Sequence, residues 1–193
     1  MMDENKHSYA GDSMRRVEDE EMITGAGCYT DDLQFPEMTH LHFVRSPYPH
    51  AKIKKMDLSA AMDSEGVLAI YNADDLIRDG VNPYPIPGPP GDFVTQEILD
   101  RGYRNGNGEP MDPPRWLALA KDEVRYVGQP VVAILAESAE NALTASELVE
   151  VDYEELASVG TIQDAEKESA PAIWKGAPGN LLIQMEHGDA ATT

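Results

Sequence analysis

Several features are scarce in this chain of 193 residues, and each scarcity excludes a class of protein. There is one cysteine, Cys28. A disulfide framework, a zinc knuckle and a cysteine-ligated iron–sulfur cluster formed within this chain are therefore excluded by count. The sequence has no run of about 18 apolar residues, which argues against a transmembrane helix. Its first residues lack the basic and then apolar order of a signal peptide, so we expect a soluble, cytoplasmic protein.

Positive charge is also scarce. The chain has 15 Lys and Arg residues against 35 Asp and Glu residues, which gives a formal net charge of −20 and a pI near 4.4. Such a chain repels phosphate backbones and anionic lipids, so we expect no nucleic-acid partner and no membrane insertion. An excess of carboxylates is also compatible with a high-salt cytoplasm, and the composition does not separate the two origins.

What is present is enough for a folded domain. Hydrophobic residues make up 41% of the chain, and a chain of this length buries about 70% of its unfolded surface on folding. Alternating and short apolar runs, separated by cap and turn residues, predict an α+β (mixed α/β) fold. We predict strands over residues 39–45, 51–57, 67–71, 131–136 and 149–153, helices around 60–62, over 73–79 and after Ser138, and regular structure over 116–120.

The chain divides into segments of different composition. Residues 1–27 are polar and acidic and predict an N-terminal arm, and residues 28–165 predict the folded domain. Within it, residues 80–114 form a long loop rich in proline and glycine, which either covers a route to an active site or is a surface insertion. Its Pro87–Pro90 stretch has the spacing of a polyproline ligand, although an ordinary rigid loop is the simpler interpretation. Residues 166–193 predict an extended linker.

The candidate chemical groups are few. His40 and His42 lie two residues apart, which puts them on one side of a strand where they could chelate a metal. No third ligand is evident nearby, so two histidines on an exposed face are the simpler interpretation. The ring of His50 could anchor a backbone carbonyl. Cys28 is expected to be a small, half-buried filler beside glycines. The carboxylate clusters at 18–21 and 152–155 predict solvated faces, since carboxylates are rarely buried without partners.

Six collinear blocks resemble a known family. They are residues 16–19 (RVED), 24–33 (TGAGCYTDDL), 44–53 (VRSPYPHAKI), 66–67 with 74–76, 119–131 including VRYVGQPV, and 147–156 (ELVEVDYEEL). Together they are similar to the start of the large, molybdenum-binding subunit of the xanthine dehydrogenase / aldehyde oxidase / carbon monoxide dehydrogenase family. The order of predicted elements is compatible with the a/b hammerhead domain that opens such subunits.

The resemblance implies a structural role. In that family a molybdopterin-type molybdenum cofactor and the catalytic residue belong to later domains of the large subunit, and FAD and [2Fe-2S] clusters belong to partner subunits. Residues 180–189 resemble the junction to those later domains. No catalytic, cofactor-binding or metal-binding residue is therefore assigned to any position of this chain, which is expected to be inactive alone.

Two departures from the family pattern leave the fold intact. Ala157 occupies a position where the family commonly has proline, and Pro49 occupies one where it commonly has alanine. Residues 16–20 favour the carbon monoxide dehydrogenase-like branch, which also contains oxidases of aldehydes and N-heterocycles. The alternatives are a non-enzymatic binding or assembly protein derived from this domain and, with less support, a small hydrolase that uses a carboxylate pair.

Overall fold

The computed structural model describes residues 13–84 and 116–181 of the chain. The chain folds into two compact units, residues 1–38 and residues 39–193, and each is described by itself. The expected course of the proline-rich loop over residues 85–114, including Pro87–Pro90, lies outside the described residues. The same is true of residues 1–12 and 182–193.

In the described part of the first unit, residues 13–38, a short helix forms within the segment predicted to be a polar, acidic arm. Helix α1 spans Asp19–Thr24 and begins with three acidic residues, which interact favourably with the positive end of the helix dipole. It ends at Gly25, whose φ of 73° lies in the left-handed region. A 3₁₀ turn follows at Thr30–Asp32.

Cys28 does not fill a half-buried gap as predicted. The structure places it at the surface as a free thiol. The prediction was wrong because the glycines on its N-terminal side, Gly25 and Gly27, belong to the turn that ends α1, where the backbone folds onto itself: the amide of Gly27 donates to the carbonyl of Glu21 over 2.9 Å. That turn leaves the neighbouring side chain in solvent.

The second unit is built on two antiparallel, three-stranded sheets. Strands β1 (His40–Arg45) and β3 (Val67–Tyr71) flank β5 (Pro130–Ala136) in the first sheet. As predicted, β5 is buried on both faces: Val131, Val132, Ala133, Ile134 and Ala136 are 0–7% exposed. A central strand of this kind needs an apolar run rather than alternation, because both faces pack against other elements.

In the second sheet, β2 (Ala51–Asp57) lies between the two-residue β4 (Glu123–Val124) and β6 (Glu150–Glu155). The predicted alternation of β6 is confirmed: Val151 and Tyr153 are half-buried, whereas its acidic residues are exposed. One of them, Glu154, pairs with Lys54 across the strands at 2.8 Å. The acidic face of β6 is therefore partly neutralised by lysines of β2.

Capping residues define the helices. Helix α3 (Ala73–Arg78) begins as predicted at Asn72, whose side chain accepts from the amide of Asp75. Helix α4 (Ala139–Glu147) begins at Ser138, which accepts from the amide of Asn141. The short α2 (Ser59–Met62) ends at Asp63 and not at Gly66 as predicted, because residues 63–66 turn into β3. A last helical turn, α5, spans Ile162–Ala165.

The core lies where α4 and the two sheets meet. Its buried members are apolar residues of β2, β4, β5 and α4: Ala51, Val124, Val131, Val132, Ile134 and Ala145, with Ala120. A smaller cluster covers the other face of the first sheet, where Leu119 packs with Ala73 and Ala133. Both clusters depend on β5, which makes this strand the centre of the domain.

Two segments differ from the expected course. Residues 116–120 were predicted to be regular but contain bends at positions 118 and 119. Leu119 is buried there against Ala73 of α3 and Ala133 of β5. The described part of the C-terminal segment, residues 166–181, is not extended. It forms hydrogen-bonded turns and ends in a 3₁₀ turn at Pro178–Asn180.

Candidate functional site

The groups that the sequence suggested for catalysis or metal binding do not come together. The carboxylates at 18–21 and at 152–155 are exposed, as predicted. Tyr153, which lies within the second group, is half-buried. His40 and His42 lie on β1 opposite Ala136 and Ile134. They are half-buried and not on an exposed face, because β1 is covered in part on both sides.

A ligand set for a metal is absent from residues 13–84 and 116–181, where no group of three or more His, Cys, Asp or Glu side chains could hold an ion. No helix in this part of the chain is long and apolar enough to cross a membrane.

His50 anchors a backbone carbonyl, as the sequence suggested. It lies in the turn before β2 and is only 5% exposed. Its Nδ1 atom lies 2.7 Å from the carbonyl oxygen of Ala157, just after β6. Its Nε2 atom is buried without a hydrogen-bond partner and lies 4.0 Å from a carboxylate oxygen of Glu123.

Glu123 links this histidine to Arg125, which lies just after β4. One guanidinium nitrogen, Nη2, donates to Glu123 Oε2 at 2.7 Å. The backbone amide of Arg125 donates to the side-chain oxygen of Gln129 at 2.6 Å, which closes the turn between β4 and β5. Gly128 permits this turn because its φ of 87° is a conformation that residues with a Cβ rarely adopt.

Arg125 also holds the C-terminal segment. Its Nε atom donates to the carbonyl of Ile173 at 3.1 Å, and its guanidinium lies 3.8 Å above the ring of Trp174. Cation–π contacts of this kind favour Trp and Arg. We call Glu123, Arg125, Ile173 and Trp174 the Arg125 cluster.

Asn180 fixes the same segment from the other side. Its side-chain oxygen accepts from the amide of Ile173 at 2.9 Å, and its side-chain nitrogen donates to the carbonyls of Pro171 and Ala165. Residues 165–180 are therefore held by two side chains, Asn180 from within the segment and Arg125 from the β4–β5 turn.

A cavity of about 720 Å³ opens beside the Arg125 cluster. The rings of Trp116 and Trp174 are almost parallel, with an interplanar angle of 7° and centroids 6.5 Å apart, and both line the cavity. Tyr84 and Tyr126 also line it. The cavity wall thus combines four aromatic rings with one partly buried arginine.

The guanidinium of Arg125 is partly buried and hydrogen-bonded to neighbouring acceptors. Burial lowers the pKa of Arg125, while the charges of Glu123 and Asp122 oppose that shift. The guanidinium has three short contacts to acceptors, so it is positioned rather than free to act on a reacting atom. The described cavity lining includes no Ser, Cys or His nucleophile or base.

Arg125, Trp116 and Trp174 were not among the candidate groups predicted from the sequence. Trp174 lies in a segment predicted to be an extended linker. Its contact with Arg125 could not be predicted from the sequence, because the two residues are far apart along the chain. A signal was present in the composition: the chain has only two tryptophans, and Trp174 lies in a segment where no strand or helix was predicted to bury it.

Comparisons with known proteins agree with this fold. A family model described as "Aldehyde oxidase and xanthine dehydrogenase, a/b hammerhead domain" matches residues 24–102 and 90–157. The nicotine 6-hydroxylase large subunit of Paenarthrobacter nicotinovorans is 33% identical over 79% of this chain and 17% of that protein. The carbon monoxide dehydrogenase large chain of Afipia carboxidovorans is 32% identical over 95% of this chain and 21% of that protein.

Solved structures show the same relationship. The aldehyde oxidoreductase of Desulfovibrio gigas superposes with a TM-score of 0.64 at 27% identity, over 84% of this chain and 16% of that one. The reconstituted CO dehydrogenase of Oligotropha carboxidovorans gives 0.62 at 31% identity, over 82% and 17%. The chain thus spans about a fifth or less of the length of these relatives. It belongs to the a/b hammerhead domain family of aldehyde oxidases and xanthine dehydrogenases.

Proposed function

We propose that this chain acts as the structural hammerhead domain of a molybdenum hydroxylase large subunit and is inactive by itself. The observation that supports this most is coverage: in relatives that are about a third identical to this chain, the matched part is only 17% and 21% of their length. The described residues provide a packed scaffold and a concave aromatic surface but no ligand set for a metal.

The complete enzyme would contain groups that this chain does not provide. We expect a molybdopterin-type cofactor in the remaining domains of the large subunit, with FAD and [2Fe-2S] clusters in two partner subunits. Such an enzyme inserts oxygen from water into a carbon centre and passes the electrons through the clusters to FAD. The substrate class, whether carbon monoxide, an aldehyde or an N-heterocycle, follows from those other parts.

The test is affinity purification of the tagged chain from its native host, with metal analysis and identification of the co-purified polypeptides. We expect molybdenum, iron and flavin to arrive together with polypeptides of the cofactor domains and both partner subunits. The same chain, purified alone after expression in a heterologous host, should contain none of these and oxidise no aldehyde. Molybdopterin binding or aldehyde oxidation by the isolated chain would contradict the proposal.

The second candidate is a non-enzymatic binding or assembly protein that descends from this domain. It is favoured by the absence of a ligand set for a metal from the described residues, since a packed domain of this kind could be retained for binding alone. The two candidates differ in the purification: an orphan binding protein would be recovered without molybdenum, and no polypeptide with a molybdenum-cofactor domain would accompany it.

A further inference from the structure

His50 has a buried ring nitrogen with no hydrogen-bond donor to pair with. Its Nδ1 atom lies 2.7 Å from the carbonyl oxygen of Ala157. A carbonyl only accepts, so Nδ1 carries the proton of the neutral ring and Nε2 is a bare acceptor. Among the residues that the structure describes, Nε2 is the one buried side-chain nitrogen or oxygen atom without a hydrogen-bond partner. Buried polar atoms are normally paired, so this exception points to a second state of the ring in which Nε2 is paired.

The group that faces Nε2 is the carboxylate of Glu123 on β4. Its Oε2 atom lies 4.0 Å from Nε2. While the ring is neutral, both atoms are acceptors and repel each other, which accounts for the missing hydrogen bond. A proton on Nε2 makes this nitrogen a donor. Charge-assisted N–H···O bonds are about 2.7–2.9 Å long, so Oε2 would approach the ring by about 1 Å.

The same oxygen atom holds Arg125. Nη2 of Arg125 donates to Oε2 of Glu123 at 2.7 Å, and no other carboxylate in residues 13–84 and 116–181 pairs with this guanidinium. A protonated His50 is a second cation beside the same oxygen, and it attracts Oε2 away from Nη2 while it repels the guanidinium. The two cations therefore compete for one acceptor atom, and the proton on His50 decides which of them holds it.

The other charged groups around His50 do not replace Glu123. No second carboxylate among the described residues lies within 4.0 Å of the ring. Lys52, which lies opposite Glu123 across the strands, is paired with Glu154 at 3.4 Å. The remaining titratable groups on the elements around the ring are Tyr48 before it, Asp122 and Arg125 near Glu123 on the chain, and Tyr153 and Glu155 on β6. The competition for Glu123 is therefore between His50 and Arg125.

Arg125 in turn contacts the C-terminal segment through the carbonyl of Ile173 and the ring of Trp174. Loss of the oxygen of Glu123 frees the guanidinium to move away from that ring. We propose that His50 is a proton-responsive switch: its protonation attracts Glu123 away from Arg125 and loosens the contact of Arg125 with Trp174. Imidazoles ordinarily change charge between about pH 5 and 8, so the switch responds to mild acidification. It uses residues of this chain alone and does not depend on the proposed function.

The experiment follows Trp174 by fluorine NMR. The purified full chain is labelled with 5-fluorotryptophan, which gives two signals because the chain has two tryptophans. The variant Trp116→Phe identifies the signal of Trp174. Spectra are recorded from about pH 8 to about pH 5.5, above the ordinary titration of carboxyl groups, so that histidine is the side chain that changes charge. Circular dichroism at both ends of this range checks that the chain stays folded.

We expect the signal of Trp174 to shift along one sigmoidal curve across this range. His50→Asn keeps a donor near the position of Nδ1 but has no group at the position of Nε2, so its signal should stay where it is at high pH. His50→Gln places an amide N–H near the position of Nε2 and should hold the signal near its low-pH position at every pH. The matched control His42→Asn removes another half-buried histidine, on β1, and should titrate like the unmodified chain.

Three results would overturn the switch. A Trp174 signal that stays constant over the whole range in the folded chain would show that no proton on His50 changes the contact of Arg125. A shift of the same size in His50→Asn would assign the response to another group. A folded His50→Gln variant with the signal at its high-pH position would show that a donor at Nε2 does not displace Glu123. If that variant does not fold, the comparison of the unmodified chain with His50→Asn decides.

Discussion

The imidazole of His50 joins the start of β2 to the end of β6 through the carbonyl oxygen of Ala157, which lies 2.7 Å from Nδ1. A carbonyl only accepts hydrogen bonds, so Nδ1 must carry the proton. The other ring nitrogen is buried and faces Glu123 at 4.0 Å without a hydrogen bond. The family commonly has proline at position 157, and proline retains the carbonyl that this contact uses.

This geometry predicts a ranking of two substitutions at His50. His50→Leu leaves the carbonyl of Ala157 without its donor and should lower the free energy of unfolding by about 1–3 kcal/mol. His50→Asn places an amide N–H near the position of Nδ1 and should lose less. Urea denaturation followed by circular dichroism measures both. Equal losses would show that the ring contributes through packing and not through this hydrogen bond.

Gly66 is required at its position for two independent reasons. Its φ is 73°, and a Cβ there would overlap the side-chain nitrogen of Asn141 on α4. Gly66→Ala should therefore destabilise the domain by more than the cost of the left-handed conformation alone, which is about 1–2 kcal/mol. Gly128→Ala is the matched control, because Gly128 has a φ of 87° with nothing within 4 Å of an added Cβ.

Thermal and urea unfolding of the two variants separate these contributions. We expect the larger loss in Gly66→Ala, and the double variant Gly66→Ala/Asn141→Ala should recover part of it, because the clashing side chain is gone. If both glycine variants lose the same stability, Asn141 moves aside at negligible cost and only the backbone conformation matters.

The capping box of α3 predicts a pH dependence. The backbone amide of Asn72 lowers the pKa of Asp75, with a further contribution from Arg78. Because the pKa is lower in the folded chain than in the unfolded chain, the ionised carboxylate stabilises the fold above about pH 4. This stabilisation is lost as the pH falls through the folded pKa, below 3.8.

Asp75→Asn should therefore lower stability at pH 6 and differ less from the unmodified chain as the pH approaches 3. Asp63→Asn removes the same charge from the exposed end of α2 and serves as the control. Urea midpoints across this pH range provide the measurement. A deficit of constant size at every pH would mean that the ionisation of Asp75 is not involved.

The sequence predicted those parts of the fold that depend on local patterns. The apolar run of β5, the alternation of β6 and the caps Asn72 and Ser138 are each encoded within a few residues. A burial pattern or a cap does not depend on contacts with residues far away in the sequence, so these elements were predictable from composition and spacing.

The Arg125 cluster was not predictable for the opposite reason. Its contacts join Arg125 to Ile173 and Trp174, which lie about fifty positions away in a segment without a periodic pattern. Long-range contacts between single side chains leave no local signal in one sequence. The bends at 116–120 were missed because the burial of Leu119 depends on the same tertiary packing.

The contact between Arg125 and Trp174 predicts an energetic coupling that holds the C-terminal segment to the sheet. Arg125→Lys keeps the charge but loses the planar guanidinium, which donates to Glu123 and to the carbonyl of Ile173 at the same time. Trp174→Leu removes the ring. Arg125→Met keeps the chain length but removes the cation, and a double-mutant cycle of Arg125→Met with Trp174→Leu should give a coupling of about 0.5–2 kcal/mol, as expected for a partly desolvated cation–π pair.

Limited proteolysis tests which segment of the chain this contact stabilises. In Arg125→Lys we expect faster cleavage within residues 166–181, because that segment loses the donor to Ile173, while cleavage around β5 stays slow. Arg78→Lys is the control, since Arg78 lies on α3, where it pairs with Asp75 at 2.8 Å. If the cycle shows no coupling and residues 166–181 remain protected, Asn180 alone holds the segment, and Arg125 would then matter only for the surface it presents.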